Sequence, residues 1–265
     1  MKIIVPIKQV PETSNVKMDP ETGTMIRTGV EPIVNPLDLY AIEEAVRLKN
    51  QYGGEIVAVT MGPPSAHKAL REAISMGCDE GILLSDKKFA GADTWSTSYV
   101  LSKAIEKIGN FDIILCGERA TDGDTGQVGP GIAAWLNIPF STYVSQISEV
   151  TETKVTVKRI VENGYQLLDV ERPTLITVVK EINFPRLPTL DGKIKAKQAE
   201  IPVWGPEEIT AESEHLGLKG SPTRVVKIST PKVSRDGERF SPKTDGEMEE
   251  VVDCIIRFFE EKEII

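Results

Sequence analysis

Residues 111–136 read FDIILCGERATDGDTGQVGPGIAAWL. The first six, Phe111 to Cys116, form a nearly continuous apolar run. Such a run marks a strand buried on both faces of a parallel sheet. A glycine-rich loop follows, and a helix is expected near Val128 to Leu136. This strand–loop–helix unit is the last of four. The first opens with Lys2 to Ile7 (KIIVPI) as a strand. Asn35-Pro36 then starts a helix, with Asn35 at the N-cap and Pro36 in the first turn. Leu39, Ile42, Ala45 and Val46 share one face of it, Glu43, Glu44 and Arg47 face water, and Gly53-Gly54 ends it. Ile56 to Met61 (IVAVTM) is the second strand, followed by a helix from Ser65 to Met76 that stops at Gly77. Gly81 to Leu84 is the third strand, and Asp93 caps a helix running to Ile108. Alternation of this kind predicts an α/β fold: a doubly wound, mostly parallel sheet with helices on both faces.

Outside these units the signal changes. The stretch after the first strand is polar, with turn signals at Asp19-Pro20 and Thr22-Gly23. Residues 141–180 read as extended segments: Lys154 to Val161, Tyr165 to Val170 and Thr174 to Val179. Asn163-Gly164 between apolar runs signals a hairpin, and these strands are expected to add to one edge of the sheet. Residues 185–245 are rich in proline and lack long apolar runs. So long a connection is expected to serve a function. A last amphipathic helix is expected from about Asp245 to Glu261, with Val251, Val252, Ile255, Ile256 and Phe259 apolar. The resulting division is an α/β domain over 1–184 and, over 185–265, a loop, arm and helix that pack on another chain.

Composition narrows the function. The 265 residues carry a formal charge of −9 and 40% hydrophobic residues. That balance suits a globular protein and disfavours nucleic acid, which demands clustered Lys and Arg. Cys78, Cys116 and Cys254 are far apart, share no metal-ligand spacing with His67 or His215, and read as reduced thiols of a cytoplasmic protein. The apolar run in MKIIVPIKQV is too short for a signal peptide, and no stretch is long enough for a membrane span.

In an open parallel sheet, ligands bind beyond the carboxyl ends of the strands. Pro6 and Lys8 follow the first strand, and Met61-Gly62-Pro63-Pro64 closes the second. Gly91-Ala92-Asp93-Thr94 follows the third and Asp122 to Pro130 the fourth. The fourth loop is the strongest candidate. Its three glycines let a ligand approach the backbone, and the next helix offers free N–H groups and a positive dipole end to a phosphate. Thr125 adds a hydroxyl. Asp122 and Asp124 would repel phosphate and suit a ribose hydroxyl or the turn itself. A solvated turn before a helix would carry similar residues, and the loop is neither GxGxxG nor Walker A. No catalytic constellation or metal cluster is evident, and both histidines read as surface residues. Redox chemistry here would have to be a cofactor's.

Taken in order, these segments resemble the electron-transfer flavoprotein β-subunit family. Lys8-Gln9-Val10-Pro11-Glu12 resembles its KQVPD segment. Asn35-Pro36-Leu37-Asp38 with Ala41-Ile42-Glu43-Glu44-Ala45 resembles its NP…EEA helix start. Met61-Gly62-Pro63 and Asp122 to Pro130 match its nucleotide loops, and Val157 to Thr177 resembles its signature pattern, departing at Asn163. The resemblance implies a subunit that is not active alone and pairs with a larger α-subunit. Ordinary members hold AMP in the β-subunit. In the electron-bifurcating branch FAD replaces it, accepts hydride from NADH, and divides the electrons between ferredoxin and a flavin-dependent dehydrogenase.

Thr60 to Pro64, Ser85-Asp86, Phe89 to Thr94 and the 122–130 loop are similar to the bifurcating branch, which implies FAD and NAD(H). The implied cofactor-binding set is Pro6, Asn35, Asp38, Met61, Thr94, Thr97 and the run Asp122, Gly123, Asp124, Thr125, Gly126, Gln127, Val128, Gly129, Pro130 and Gly131. Within it, Pro6, Asn35 and Met61 would line the adenosine pocket. Thr94 and Thr97 would meet the rest of the flavin. Leu190 falls in the family's recognition loop for a dehydrogenase of acyl-CoA or 2-hydroxy-acid type. Three alternatives stay open: an AMP-holding carrier, an ATP- or AMP-binding sensor module, and a structural subunit that binds nothing.

Overall fold

The computed structural model describes residues 1–12, 32–226 and 237–263. The turns expected at Asp19-Pro20 and Thr22-Gly23 lie outside them. The repeating units appear as expected: strand β1 (Lys2–Pro6), helix α1 (Pro36–Tyr52), β4 (Glu55–Met61), α2 (His67–Met76), β5 (Glu80–Leu84), α3 (Thr94–Ile108), β6 (Ile113–Gly117) and α4 (Val128–Leu136). Between β1 and α1 a short antiparallel pair, β2 (Gln9–Pro11) and β3 (Pro32–Val34), closes the polar excursion. Then come β7 (Phe140–Val150), β8 (Lys154–Val161), β9 (Gly164–Glu171), β10 (Thr174–Val178), α5 (Leu190–Gln198), β11 (Val203–Trp204) and α6 (Asp245–Glu261).

Nine strands form one sheet in the order β11-β5-β4-β1-β6-β10-β7-β8-β9. The strands from β11 through β7 are parallel, and β8 and β9 are antiparallel additions. Alternate residues of each strand serve opposite faces. Ile3, Val5, Ile56, Ala58 and Leu115 pack against α1 and α2. Ile4, Val57, Val59, Ile114 and Cys116 pack against α3 and α4. This two-sided burial explains the unbroken apolar runs in the sequence.

Four expectations are corrected. First, β10 is not an edge strand. It lies between β6 and β7 and pairs with both in parallel. Only β8 and β9 form the antiparallel edge, joined at a tight turn where Val161 pairs with Gly164.

Second, Glu43 and Glu44 do not face water; they are 6% and 4% exposed. The chain after β10 returns over α1. Arg186 there meets Glu43 through Nε at 2.7 Å and NH2 at 2.9 Å, and the Asn183 amide donates to Glu44 at 3.0 Å.

Third, the chain beyond 184 is not all arm. Helix α5 packs on α2, with Ala196 buried and Gly192 set so close to the Ser75 carbonyl that a Cβ would overlap it. β11 then pairs with β5, and Ile209 and Leu216 enter the core. The first compact unit therefore runs to Lys227.

Fourth, His215 is not a free surface residue. Its ring packs at a tilt 4.8 Å from Tyr99 and edge-on 5.5 Å from Trp135.

In the second unit the described part is dominated by α6. Thr244 caps it by accepting from the Glu247 amide at 3.3 Å, while the Glu247 carboxylate accepts from the Lys243 amide at 2.6 Å. This reciprocal pairing satisfies first-turn donors. None of its residues is buried, and Met248, Val252, Ile255, Ile256 and Phe259 form an exposed apolar series.

Candidate functional site

Because β1, β4, β5, β6 and β10 are parallel, their carboxyl ends share one edge of the sheet. Three side-chain contacts tie the loops there to one another. The Gln9 amide donates to the Ser65 carbonyl at 3.2 Å. Lys8 Nζ reaches Asp122 Oδ1 at 2.6 Å. Thr94 Oγ1 donates to Gln127 Oε1 at 3.3 Å. Loops distant in sequence thus form one continuous rim.

Asn35 and Asp38 lie beneath this rim. Asn35 is 1% exposed and sits at the N-cap position of α1, yet its side chain makes no cap hydrogen bond. Nδ2 donates instead to Asp38 Oδ1 and to the Arg119 carbonyl, each at 2.9 Å, and Oδ1 accepts from the Thr121 amide at 3.1 Å. Asp38 Oδ2 accepts from the Lys8 amide at 2.7 Å. The pair is a polar hub joining the end of β1, the start of α1 and the loop after β6. Its hydrogen-bonding capacity is largely spent inside the protein, so its first role is to shape the loop.

Burial raises the Asp38 carboxyl to about 7, against the opposing hydrogen bonds from Asn35 and the Lys8 amide. A carboxyl with a raised pKa holds its proton more tightly folded than unfolded. Its contribution is complete below the unfolded value near 3.8 and is lost as pH rises toward about 7. Thermal stability is therefore expected to fall between pH 4 and 7 more steeply in the native chain than in Asp38→Asn. Melting curves across that range test it, and parallel profiles would remove Asp38 as the cause.

The loop after β6 is exposed from Thr121 to Thr125. Among the amides of residues 122–129, only Asp124 donates within the described chain, to the Ala120 carbonyl at 2.8 Å. Gln127 provides no side-chain cap to α4. The Val128 and Gly129 amides at the start of α4 are thus unspent, Pro130 having none and Gly131 donating to the Gln127 carbonyl at 2.9 Å, and the positive end of its dipole is open. Gly126 has φ +63°, a left-handed conformation suited to glycine. Both loop carboxylates are balanced by cations: Asp122 by Lys8 and Asp124 by Arg119 Nε at 3.0 Å. The repulsion that these aspartates would exert on an anion is therefore muted. Arg119 was not apparent in the sequence, because its pairing with Asp124, five residues on, depends on the fold of an irregular loop.

The remaining glycines of the 122–131 run work inward. A Cβ on Gly129 would stand 2.7 Å from Thr177 Cγ2, and one on Gly131 would stand 2.7 Å from Ser98 Oγ. These residues let α4 press onto β10 and α3, setting the height of its amino end above the sheet. Pro6 is buried in β1 and Met61 is half-buried at the end of β4. Thr94 begins α3 at the rim, and Thr97 is half-buried on its first turn. Asp93 caps α3, accepting from the Ser96 amide at 3.1 Å and from the Thr223 hydroxyl at 2.8 Å. Burial pushes its carboxyl up, but these bonds outweigh it and hold Asp93 below the usual range. Leu190 lies away from the rim, 75% exposed at the start of α5.

The thiols offer no redox site here. Cys78 and Cys116 are buried and free, and burial pushes the Cys78 thiol up to about 12. Two hollows lie elsewhere. One of 640 Å³ is lined by Arg71, Ser75, Lys193 and Lys197, and one of 480 Å³ by Asp79, Asp191 and Lys195. Both border α5 near the amino end of β5, away from the strand-end loops. The rim is the better candidate because it gathers the unspent amides. It is an open rim whose free backbone amides suit an anionic group, with no nucleophile or acid–base pair among its named residues.

Comparison with known proteins agrees with this fold. Residues 22–209 match the family described as the electron transfer flavoprotein domain. The chain is 46% identical over 266 residues to the electron transfer flavoprotein subunit beta of Thermoanaerobacterium thermosaccharolyticum, covering all of both chains. It is 44% identical over 266 residues to the caffeyl-CoA reductase-Etf complex subunit CarD of Acetobacterium woodii, again covering all of both. It is 42% identical to the acryloyl-CoA reductase electron transfer subunit gamma of Anaerotignum propionicum, over 97% of this chain and 98% of that one. The chain belongs to the electron-transfer flavoprotein β-subunit family. Its role is electron transfer, with flavin as the redox group the family implies. No helix among the described residues is long and apolar enough to cross a membrane.

Proposed function

We propose that the chain is the β-subunit of an electron-bifurcating flavoprotein that binds FAD and NAD(H) and works with an α-subunit, ferredoxin and a flavin-dependent dehydrogenase. The observation that carries this reading is the set of unspent amides between Asp122 and Gly129, all but that of Asp124, joined to a hub that fixes the loop's shape. Such amides suit a diphosphate, for which backbone N–H groups and a helix dipole provide neutral, directional binding. Pairing of Asp122 with Lys8 and of Asp124 with Arg119 keeps the rim compatible with an anion. Thr94 and Gln127, which meet across the rim, offer further polar groups to the rest of the ligand. FAD held there supplies hydride acceptance from NADH and one-electron delivery to two acceptors, and the protein residues set its place and surroundings.

Similarity to CarD and to the acryloyl-CoA reductase subunit, whose names place them with CoA-ester reductases, supports a dehydrogenase partner of the acyl-CoA type. A 2-hydroxy-acid dehydrogenase is the other candidate. Exposed Leu190 is the residue assigned to that contact. The exposed apolar series of α6 is assigned to the α-subunit. The cytoplasm is the proposed location.

The test is to purify the chain with its α-subunit and to count flavins and nucleotides after denaturation. The expected result is a second FAD, no AMP, and bleaching of flavin absorbance by NADH. One FAD with one AMP would falsify the bifurcating reading and leave an ordinary electron carrier. A colourless complex containing ATP would favour a nucleotide sensor.

A further inference from the structure

Beside α3, the turn Glu212 to His215 brings three ligand-bearing side chains together. His215 Nε2 lies 3.6 Å from Glu212 Oε2 and 3.6 Å from Glu214 Oε1. One donor atom from each of the three lies within 4.8 Å of the others. Donors bound to one zinc ion at about 2.1 Å, in tetrahedral directions, stand roughly 3.4 Å apart. The two imidazole–carboxylate separations are already close to that value.

Two further observations set this turn apart from a chance surface cluster. Among the described residues, neither carboxylate forms an ion pair with a lysine or arginine; Lys103 is the neighbouring cation that acts on Glu212, and its own ion pair is with Glu106. The histidine and its backbone are also held in advance. The His215 ring packs at a tilt against Tyr99 and edge-on against Trp135, which also touch each other. Its carbonyl accepts from Ser96 Oγ at 2.7 Å, and the Glu212 amide donates to the Tyr99 hydroxyl at 2.9 Å. Leu216, the next residue, is buried in the core. The ligands that must be ordered on binding are thus reduced to two glutamate side chains, which lowers the entropic cost.

We infer that Glu212, Glu214 and His215 form a binding site for a divalent transition cation of the zinc class, with Nε2 and one oxygen from each carboxylate as ligands and water completing the shell. One imidazole and two carboxylates suit zinc or cobalt better than calcium, which favours six or more oxygens. The site holds its cation without redox change. It is separate from the nucleotide rim and does not rest on the assignment made there.

The experiment strips the purified complex with a chelator and titrates Zn²⁺ against a chromophoric competitor, with Co²⁺ as a spectroscopic substitute. One equivalent is expected, with Co²⁺ ligand-field bands and no thiolate charge-transfer band. His215→Phe, which keeps an aromatic ring in the stack, and the double variant Glu212→Gln/Glu214→Gln should each weaken binding more than about tenfold. Both should melt as the metal-free parent does. His67→Gln should bind normally. Failure to bind one equivalent, equal affinity in the His215 variant, or a thiolate band from Cys254 overturns the assignment.

Discussion

Asn35→Ala should cost about 3 kcal/mol of stability and most of the bound nucleotide. The substitution strips partners from the Arg119 carbonyl, the Thr121 amide and Asp38 Oδ1 in a buried place. An unsatisfied buried group costs about 1–3 kcal/mol, and shared relaxation keeps the total below the sum. For a chain of this size that is a fall in melting temperature of about 10 °C. Because Asn35 holds the loop from below, the loop after β6 should lose its fixed shape before the sheet melts. Nucleotide retention should therefore fall even at temperatures where the chain is folded. Calorimetry and extraction of bound nucleotide are the two measurements. A variant that melts like the parent and retains its ligand would mean that the hub does not support the rim.

The second large effect separates two glycines of the same loop. Gly126→Val places a β-branched residue at a left-handed position beside the unspent amides. Its cost is about 1–3 kcal/mol of local strain, and the expected readout is loss of flavin or nucleotide from a chain that still folds. Gly129→Val acts through packing. Its Cβ would stand 2.7 Å from Thr177 Cγ2, so α4 must lift from β10, at about 1–3 kcal/mol or more. Its expected readout is an early melt, with ligand loss following from instability. If both variants bind ligand normally, the amides of this loop are not the cradle. If both fail only by melting, the loop is structural and the ligand lies elsewhere.

Much of the architecture was readable from local pattern. The parallel strands are buried on both faces and appear as apolar runs. Helices α1 to α4 and α6 carry caps or glycine stops that mark their limits. What was hidden depends on distant partners. The apolar residues of β7, Phe140, Tyr143, Val144, Ile147 and Val150, fall three or four apart and not two, and its register shifts against both β10 and β8, so FSTYVSQISEV carries no strand period. The insertion of β10 between β6 and β7 is a matter of pairing, not composition. Helix α5, with sequence LDGKIKAKQ, has a glycine in its first turn and little apolar contrast. It exists because Gly192 lets it lie against α2.

The rim shows the same division. The strand-end loops could be placed once the strands were known. The role of Asn35 could not, because a cap is a local reading and its actual partners lie 84 and 86 residues away. Glu43 and Glu44 looked solvated for the same reason: their partners, Arg186 and Asn183, arrive after the sheet is complete.

The place of β10 also governs the order of assembly on the ribosome. β6 and β7 are made first, but the strand that bridges them emerges only after the β8–β9 hairpin has been synthesised. Until then the sheet is split down its middle, with β6 offering an open ladder edge. The loop that leaves β6 is anchored by the Glu118 amide donating to the Val178 carbonyl, at the last residue of β10. The rim proposed to hold the nucleotide is therefore among the last parts of the sheet to close. A nascent chain stopped short of residue 178 should remain protease-sensitive and unable to take up its ligand, which gives the cell a natural interval for chaperones to hold it.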